Sequence, residues 1–167
     1  MRGRSIKLTL LIGCAAAVAV VGVQAAAGAG ASVVRGDQLL AGASNCPNAD
    51  AFTYRMAGDL VGCWYTDSGD VRNATPSGVV TVSGTEHFVG CLNTNGNQTC
   101  DLGEPTGTFN TTYTFTAKYE ASGDEIHGRC HHPIISGTGG FEGASGELSF
   151  TDIPSEGRFP YHGPIRL

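Results

Sequence analysis

Residues 108–119 read Thr-Phe-Asn-Thr-Thr-Tyr-Thr-Phe-Thr-Ala-Lys-Tyr. The odd positions, Phe109, Thr111, Tyr113, Phe115, Ala117 and Tyr119, are mostly apolar; Asn110, Thr112, Thr114, Thr116 and Lys118 between them are polar. Successive side chains of a strand point to opposite faces, so this alternation predicts one long strand with a buried and a wet side. Residues 158–167 repeat the pattern, with Phe159, Tyr161, Ile165 and Leu167 on one face and Arg158, His162 and Arg166 on the other. Outward from these two, β-type runs at 60–66, 78–83, 85–92, 124–131, 133–136 and 146–152 complete a set of eight, separated by Gly, Asn, Asp and Pro. No helical apolar stripe interrupts them. An open sheet of that size exposes two edges and an uncovered apolar face, so the chain is expected to close into a barrel or fold into a sandwich.

The sequence has 167 residues, enough for one domain. Arg2, Arg4 and Lys7 precede an uninterrupted apolar or small run from Leu8 to Val23, and 24–31 offers small-x-small cleavage sites. This is the layout of a secretory signal peptide, predicted over residues 1–31 with cleavage near 27–31. A membrane anchor is the competing reading, but Ala and Gly dominate the second half of the run and no basic stop-transfer cluster follows. No stable membrane insertion is expected after cleavage. Leu11-Ile-Gly-Cys14 has the form of a lipobox, yet the apolar run continues past Cys14, so Cys14 is assigned to the discarded segment. Residues 32–56, small and polar with weak periodicity, are expected to be a flexible leader, and 57–167 the β domain.

Beyond residue 31 there are seven basic against 15 acidic residues, a net charge of −8, compared with −5 for the whole chain. Such a chain is a poor partner for a polyanion, which argues against nucleic acid. Export makes cysteines candidates for disulfides first. Cys91 and Cys100 flank a turn-forming loop with an Asn95-Gly96 step and are the expected first pair. Cys63 and Cys130, inside predicted strands, are the candidate second pair, which leaves Cys46 as the odd thiol. No CxxC supports a redox or zinc-ribbon site.

A second stretch is more specific. Ile135-Ser-Gly-Thr-Gly-Gly-Phe-Glu-Gly-Ala-Ser-Gly-Glu-Leu-Ser-Phe150, followed by Phe159-x-Tyr161, resembles the allene oxide cyclase and dirigent families in their G-T-G-x-F-x-G-A-x-G turn. The resemblance implies an all-β, eight-stranded antiparallel calycin-like β-barrel, closest to small secreted bacterial members. Gly137, Gly139, Gly140, Gly143 and Gly146 would form a tight barrel corner, with Phe141 plugging the barrel end. The families guide closure of a fatty-acid epoxide or coupling of phenolic radicals inside the barrel. Outside the glycine corner none of their catalytic residues maps onto this chain, so the reaction does not come with the fold.

Other constellations are weaker. Of the five histidines, His127 and His131 would share a strand face with Arg129, whose charge repels a cation; no metal is assigned, and surface or hydrogen-bonded imidazoles are the simpler reading. His162 is expected to point outward. Asn93, Asn95, Asn97, Asp101 and Glu104 resemble a calcium loop in composition but not in the order of charges and glycine. Asn-x-Ser/Thr sequons start at Asn73, Asn97 and Asn110. Glu86 with Glu125 or Glu147 is a conceivable acid–base pair, although outward solubilising groups explain them more simply. No nucleophile elbow, zinc-protease helix or phosphate loop is present, and no cofactor is expected.

What remains is the interior. Trp64, Phe109, Tyr113, Phe115, Phe150 and Tyr161, if inward, line an aromatic pocket suited to an apolar ligand, or they simply fill the barrel. The expected function is a secreted barrel that binds a small hydrophobic ligand. The alternatives are a cyclase-like or dirigent-like enzyme that steers a reactive intermediate without covalent catalysis, and an extracellular interaction protein linked through the leader or Cys46. Catalytic residues and oligomeric state are not assigned.

Overall fold

The computed structural model describes residues 30–40 and 46–167. It is a closed, antiparallel, eight-stranded β-barrel, each strand paired with its sequence neighbours and the first with the last. The strands are β1 (Ser32–Leu40), β2 (Thr53–Gly58), β3 (Leu60–Ala74), β4 (Val79–Leu92), β5 (Thr106–Tyr119), β6 (Glu125–Gly139), β7 (Ser145–Asp152) and β8 (Phe159–Arg166). This is the calycin-like arrangement. The proposed signal segment lies outside the described residues except for Gly30 and Ala31.

Two corrections to the predicted boundaries follow. Residues 32–56 are not a leader: β1 closes the barrel, running from Ser32 opposite Ile165 to Gln38 opposite Phe159, and β2 pairs with both β1 and β3. The eight strands are reached differently from the sequence count, because 78–83 and 85–92 are one strand, as are 124–131 and 133–136. Gly84 does not break β4; an added Cβ there would collide with the Ser68 carbonyl oxygen and lie 2.7 Å from Cε1 of Tyr113. Pro133 does not break β6, because the β5 ladder skips from Ile134–Thr111 to His131–Thr114 while Pro133 still faces Glu147 on β7. A residue without an N–H fits where one ladder is interrupted.

The predicted alternation of β5 holds: Phe109, Thr111, Tyr113 and Ala117 are buried, whereas Thr112, Thr114 and Thr116 are exposed. On β8, Tyr161 and Ile165 point in and His162 points out. Leu60, Phe88, Phe109, Phe141, Leu148 and Ile165 pack one end of the barrel solid. Phe141 is the plug expected from the glycine corner. It is fully buried, with its ring 5.2 Å from that of Phe109 and 5.9 Å from that of Phe88. The corner that delivers it needs Gly139 at φ 64° and Gly143 at φ 75°, left-handed backbone in which glycine is favoured.

Disulfides join Cys46 to Cys63 and Cys91 to Cys100. The second was expected; the first replaces the Cys63–Cys130 pairing. Cys63 and Cys130 lie on opposite faces of the wall: Cys130 belongs to the interior cluster and is the free thiol among the described residues, whereas Cys63 binds the β1–β2 connection outside. A link to another chain through Cys46 is therefore ruled out, since its sulfur is already bonded and buried. Two disulfides fit an oxidising compartment. No helix among the described residues is long and apolar enough to cross a membrane.

Candidate functional site

The opposite end of the barrel is open. A cavity of about 410 Å3 is walled by Tyr54, Tyr113, Phe115, Tyr119, Phe150 and Phe159, with Phe52 and Gln38 among its other lining residues. It lies toward the end where the β1–β2, β3–β4, β5–β6 and β7–β8 connections run, away from the Phe141 plug. Of the six sequence-predicted lining residues, Tyr113, Phe115 and Phe150 reach the cavity. Trp64, Phe109 and Tyr161 belong to the packed core beneath it. Tyr161 is held there by its hydroxyl, which accepts a hydrogen bond from the Leu60 N–H at 2.8 Å.

The floor between cavity and core is polar. Glu86 on β4, 8% exposed, accepts a hydrogen bond at Oε2 from Trp64 Nε1 at 2.7 Å, and the same oxygen forms an ion-pair contact with His132 Nε2 at 2.7 Å. Its Oε1 accepts from the Thr66 hydroxyl at 2.9 Å. A buried carboxylate is tolerated when its lone pairs meet polar partners, and here three converge. His132, 3% exposed, is gripped by aromatic rings, with that of Phe150 at 4.4 Å and that of Trp64 at 5.1 Å. The other ring nitrogen, Nδ1, finds no hydrogen-bond partner among the described residues.

Cys130 Sγ stands 3.3 Å from His132 Nε2, which together with Glu86 resembles a Cys–His–carboxylate triad. The geometry is wrong for one. In a triad the base meets the nucleophile with one ring nitrogen and the orienting carboxylate with the other; here Nε2 faces both. Burial, and then the Glu86 charge, push the Cys130 thiol far above its ordinary range, so the reactive thiolate is not populated.

A second acidic group lies in the cavity wall. Glu125 on β6 and Asp152 on β7 both line the cavity. Desolvation, followed by the charge of Asp152, pushes Glu125 up to about 7. Desolvation also raises Asp152. Burial, with the charges of Asp152, Glu86 and Glu125 behind it, pushes the Tyr54 phenol up to about 12, which places its ring amid all three carboxyls. Glu125 Oε1 is buried without a hydrogen-bond partner among the described residues.

Glu86 and Glu125 therefore point inward, against the expectation of outward solubilising groups, while Glu147 is exposed as expected and faces His131. The signal was present: Glu86 precedes Phe88 by two residues, so period two puts both on one face. Likewise, adjacent His131 and His132 must face opposite ways, and pairing His131 with His127 drew attention to the outer one. His127, Arg129 and His131 are exposed along β6. No cluster of metal-ligating side chains occurs among the described residues. The Asn93–Glu104 loop uses its carboxylates internally: Asp101 accepts from Asn95, Asn97 and Thr99, and Glu104 from the backbone N–H groups of Thr94 and Asp101.

No family model, curated protein or solved structure matches this chain.

Proposed function

We propose that this is a secreted carrier barrel, related to the allene oxide cyclase and dirigent group, that holds a small, largely apolar ligand in its open end. One observation carries the reading: a preformed, aromatic-walled cavity into whose floor a buried ring nitrogen, His132 Nδ1, is presented without a partner. Few precisely placed polar groups in an apolar cavity is the usual design of a small-molecule site, and a buried polar atom left without a partner costs free energy that a ligand recovers. Secretion rests on the signal-peptide pattern of residues 1–31 and accords with the two disulfides.

The test is native mass spectrometry of protein purified from its own culture medium, with intrinsic fluorescence as a second readout. The single tryptophan is Trp64, which sits 5.1 Å from the His132 ring; occupancy of the cavity should change its emission. A bare mass together with an emission spectrum unmoved by a panel of small aromatic compounds would overturn the proposal.

A second reading has its own support. Glu125, near neutrality in its titration and paired with Asp152, has the properties of a general acid. A steering enzyme of the cyclase or dirigent kind would use it to protonate an intermediate held against the aromatic wall. Loss of turnover in Glu125→Gln with ligand affinity unchanged would distinguish it from a carrier.

A further inference from the structure

The charge inventory of the cavity is one-sided. Glu86, Glu125 and Asp152 line it against a single imidazole, His132, which lies 2.7 Å from Glu86; no lysine or arginine among the described residues lines it. Two of the basic side chains next to lining residues in sequence are engaged elsewhere: Lys118 donates to the Ser77 carbonyl, and Arg158 pairs with Asp37 and Glu156. An anionic ligand would have to enter an apolar site beside three carboxyl groups whose one basic neighbour, His132, already faces Glu86, an expensive arrangement at low dielectric.

The three carboxyls do not play the same part. Both Glu86 oxygens are already used by Trp64, His132 and Thr66. Glu125 and Asp152 hold spare capacity, and Glu125 Oε1 is buried and unpaired. Beside them stand the rings of Tyr54 and Tyr119, the latter directly across from Glu125 on β5. Carboxylates together with aromatic faces are what a desolvated organic cation requires, since the ring quadrupole attracts positive charge and the carboxylate accepts its N–H groups. His132 Nδ1 adds an independent pointer. Buried and without a partner among the described residues, it is a polar atom left for the ligand to meet.

We infer that the ligand is a small organic amine, cationic at its nitrogen and apolar in its body, with the ammonium between Glu125 and Asp152 and the body along Tyr113, Phe115 and Phe150. This rests on the carrier reading and narrows it to one charge class, excluding fatty-acid-like and other carboxylate ligands.

Three probes of matched shape test it: 4-phenylbutylamine, 4-phenylbutanol and 4-phenylbutyrate, titrated calorimetrically into the folded protein at neutral pH. The amine is expected to bind at least tenfold more tightly than the alcohol, and the carboxylate more weakly than either. In the double variant Glu125→Gln/Asp152→Asn, the amine should fall to the affinity of the alcohol, while the alcohol stays within twofold of its wild-type value. If that variant does not fold, the wild-type ranking alone decides. Binding of the alcohol or the carboxylate as tight as that of the amine would overturn the amine assignment and leave the carrier reading standing. Binding of none of the three would overturn it too, and the co-purified mass would then judge the carrier reading separately.

Discussion

Replacing Glu86 with alanine strands two buried polar groups at once, and the size of the loss can be worked from the contacts. Trp64 Nε1–H gives up a hydrogen bond of 2.7 Å to Oε2, and His132 Nε2 loses its ion-pair partner at 2.7 Å. The Thr66 hydroxyl loses Oε1 but retains the Phe52 carbonyl at 3.3 Å, so its loss is small. An unsatisfied buried polar group costs about 1–3 kcal/mol, so two give about 2–6 kcal/mol. Water entering from the adjoining cavity can reach the vacated site and return part of that, which brings the expectation to about 2–4 kcal/mol. For a domain of this size, with about 4 °C per kcal/mol, the melting temperature should fall by about 8–16 °C. Urea unfolding followed by Trp64 emission measures the loss directly. Glu86→Gln keeps one acceptor oxygen but turns an N–H2 toward existing donors, and should lose about 1–2 kcal/mol. The control is Glu147→Ala, exposed on the outer face of the same barrel, which should remain within about 0.5 kcal/mol of wild type. An alanine variant at position 86 as stable as that control would mean that the carboxylate does not organise the floor.

The two other expectations concern Glu125 and the cysteines. Glu125 titrates near 7 in the folded chain, chiefly through desolvation and then through Asp152, against about 4.3 when unfolded. Its neutral form is thus favoured by folding, and stability present at low pH is lost as pH rises from about 4.3 through 7; urea midpoints at pH 4.5 and 7.5 should fall in wild type more than in Glu125→Gln, and an equal fall would contradict the assignment. Peptide mapping without reduction should recover Cys46–Cys63 and Cys91–Cys100, with Cys130 alkylated fast only after unfolding; a Cys63–Cys130 peptide would refute the register of β3 against the interior.

How much of this is legible beforehand depends on what each strand places inside. β5 is readable because it sends Phe109, Tyr113 and Phe115 inward, so the apolar signal has period two. β1 sends Val34, Gly36 and Gln38 toward the interior. One of these has no side chain, because a Cβ there would collide with the Ala57 carbonyl oxygen and lie 2.6 Å from the Tyr161 hydroxyl, and one is polar, because it meets the cavity. Only Val34 carries the expected signal, and the strand reads as a leader. The missed site residues share that cause. Glu86 and His132 are polar at inward positions because they form the floor, and a pattern rule that assigns polar groups to the outside fails where a functional interior departs from it. The glycine corner was legible for the opposite reason: left-handed turns demand glycine by backbone geometry, independently of ligand.

The two acidic groups therefore make opposite contributions to the folded state, and that contrast separates scaffold from site. Glu86 is saturated by partners from β3 and β6, so its removal destabilises at any pH at which the carboxylate is ionised. Glu125 is held against its own ionisation by desolvation and by Asp152, so replacing it with glutamine should leave the protein more stable than wild type above about pH 7. A group retained at a cost to stability is accounted for by its use in binding or chemistry. The same Glu125→Gln protein should then unfold at higher urea than wild type at pH 7.5 and bind 4-phenylbutylamine more weakly. Denaturation and calorimetry on one sample measure both, and a variant that gained stability with no loss of amine binding would place the cation elsewhere in the barrel.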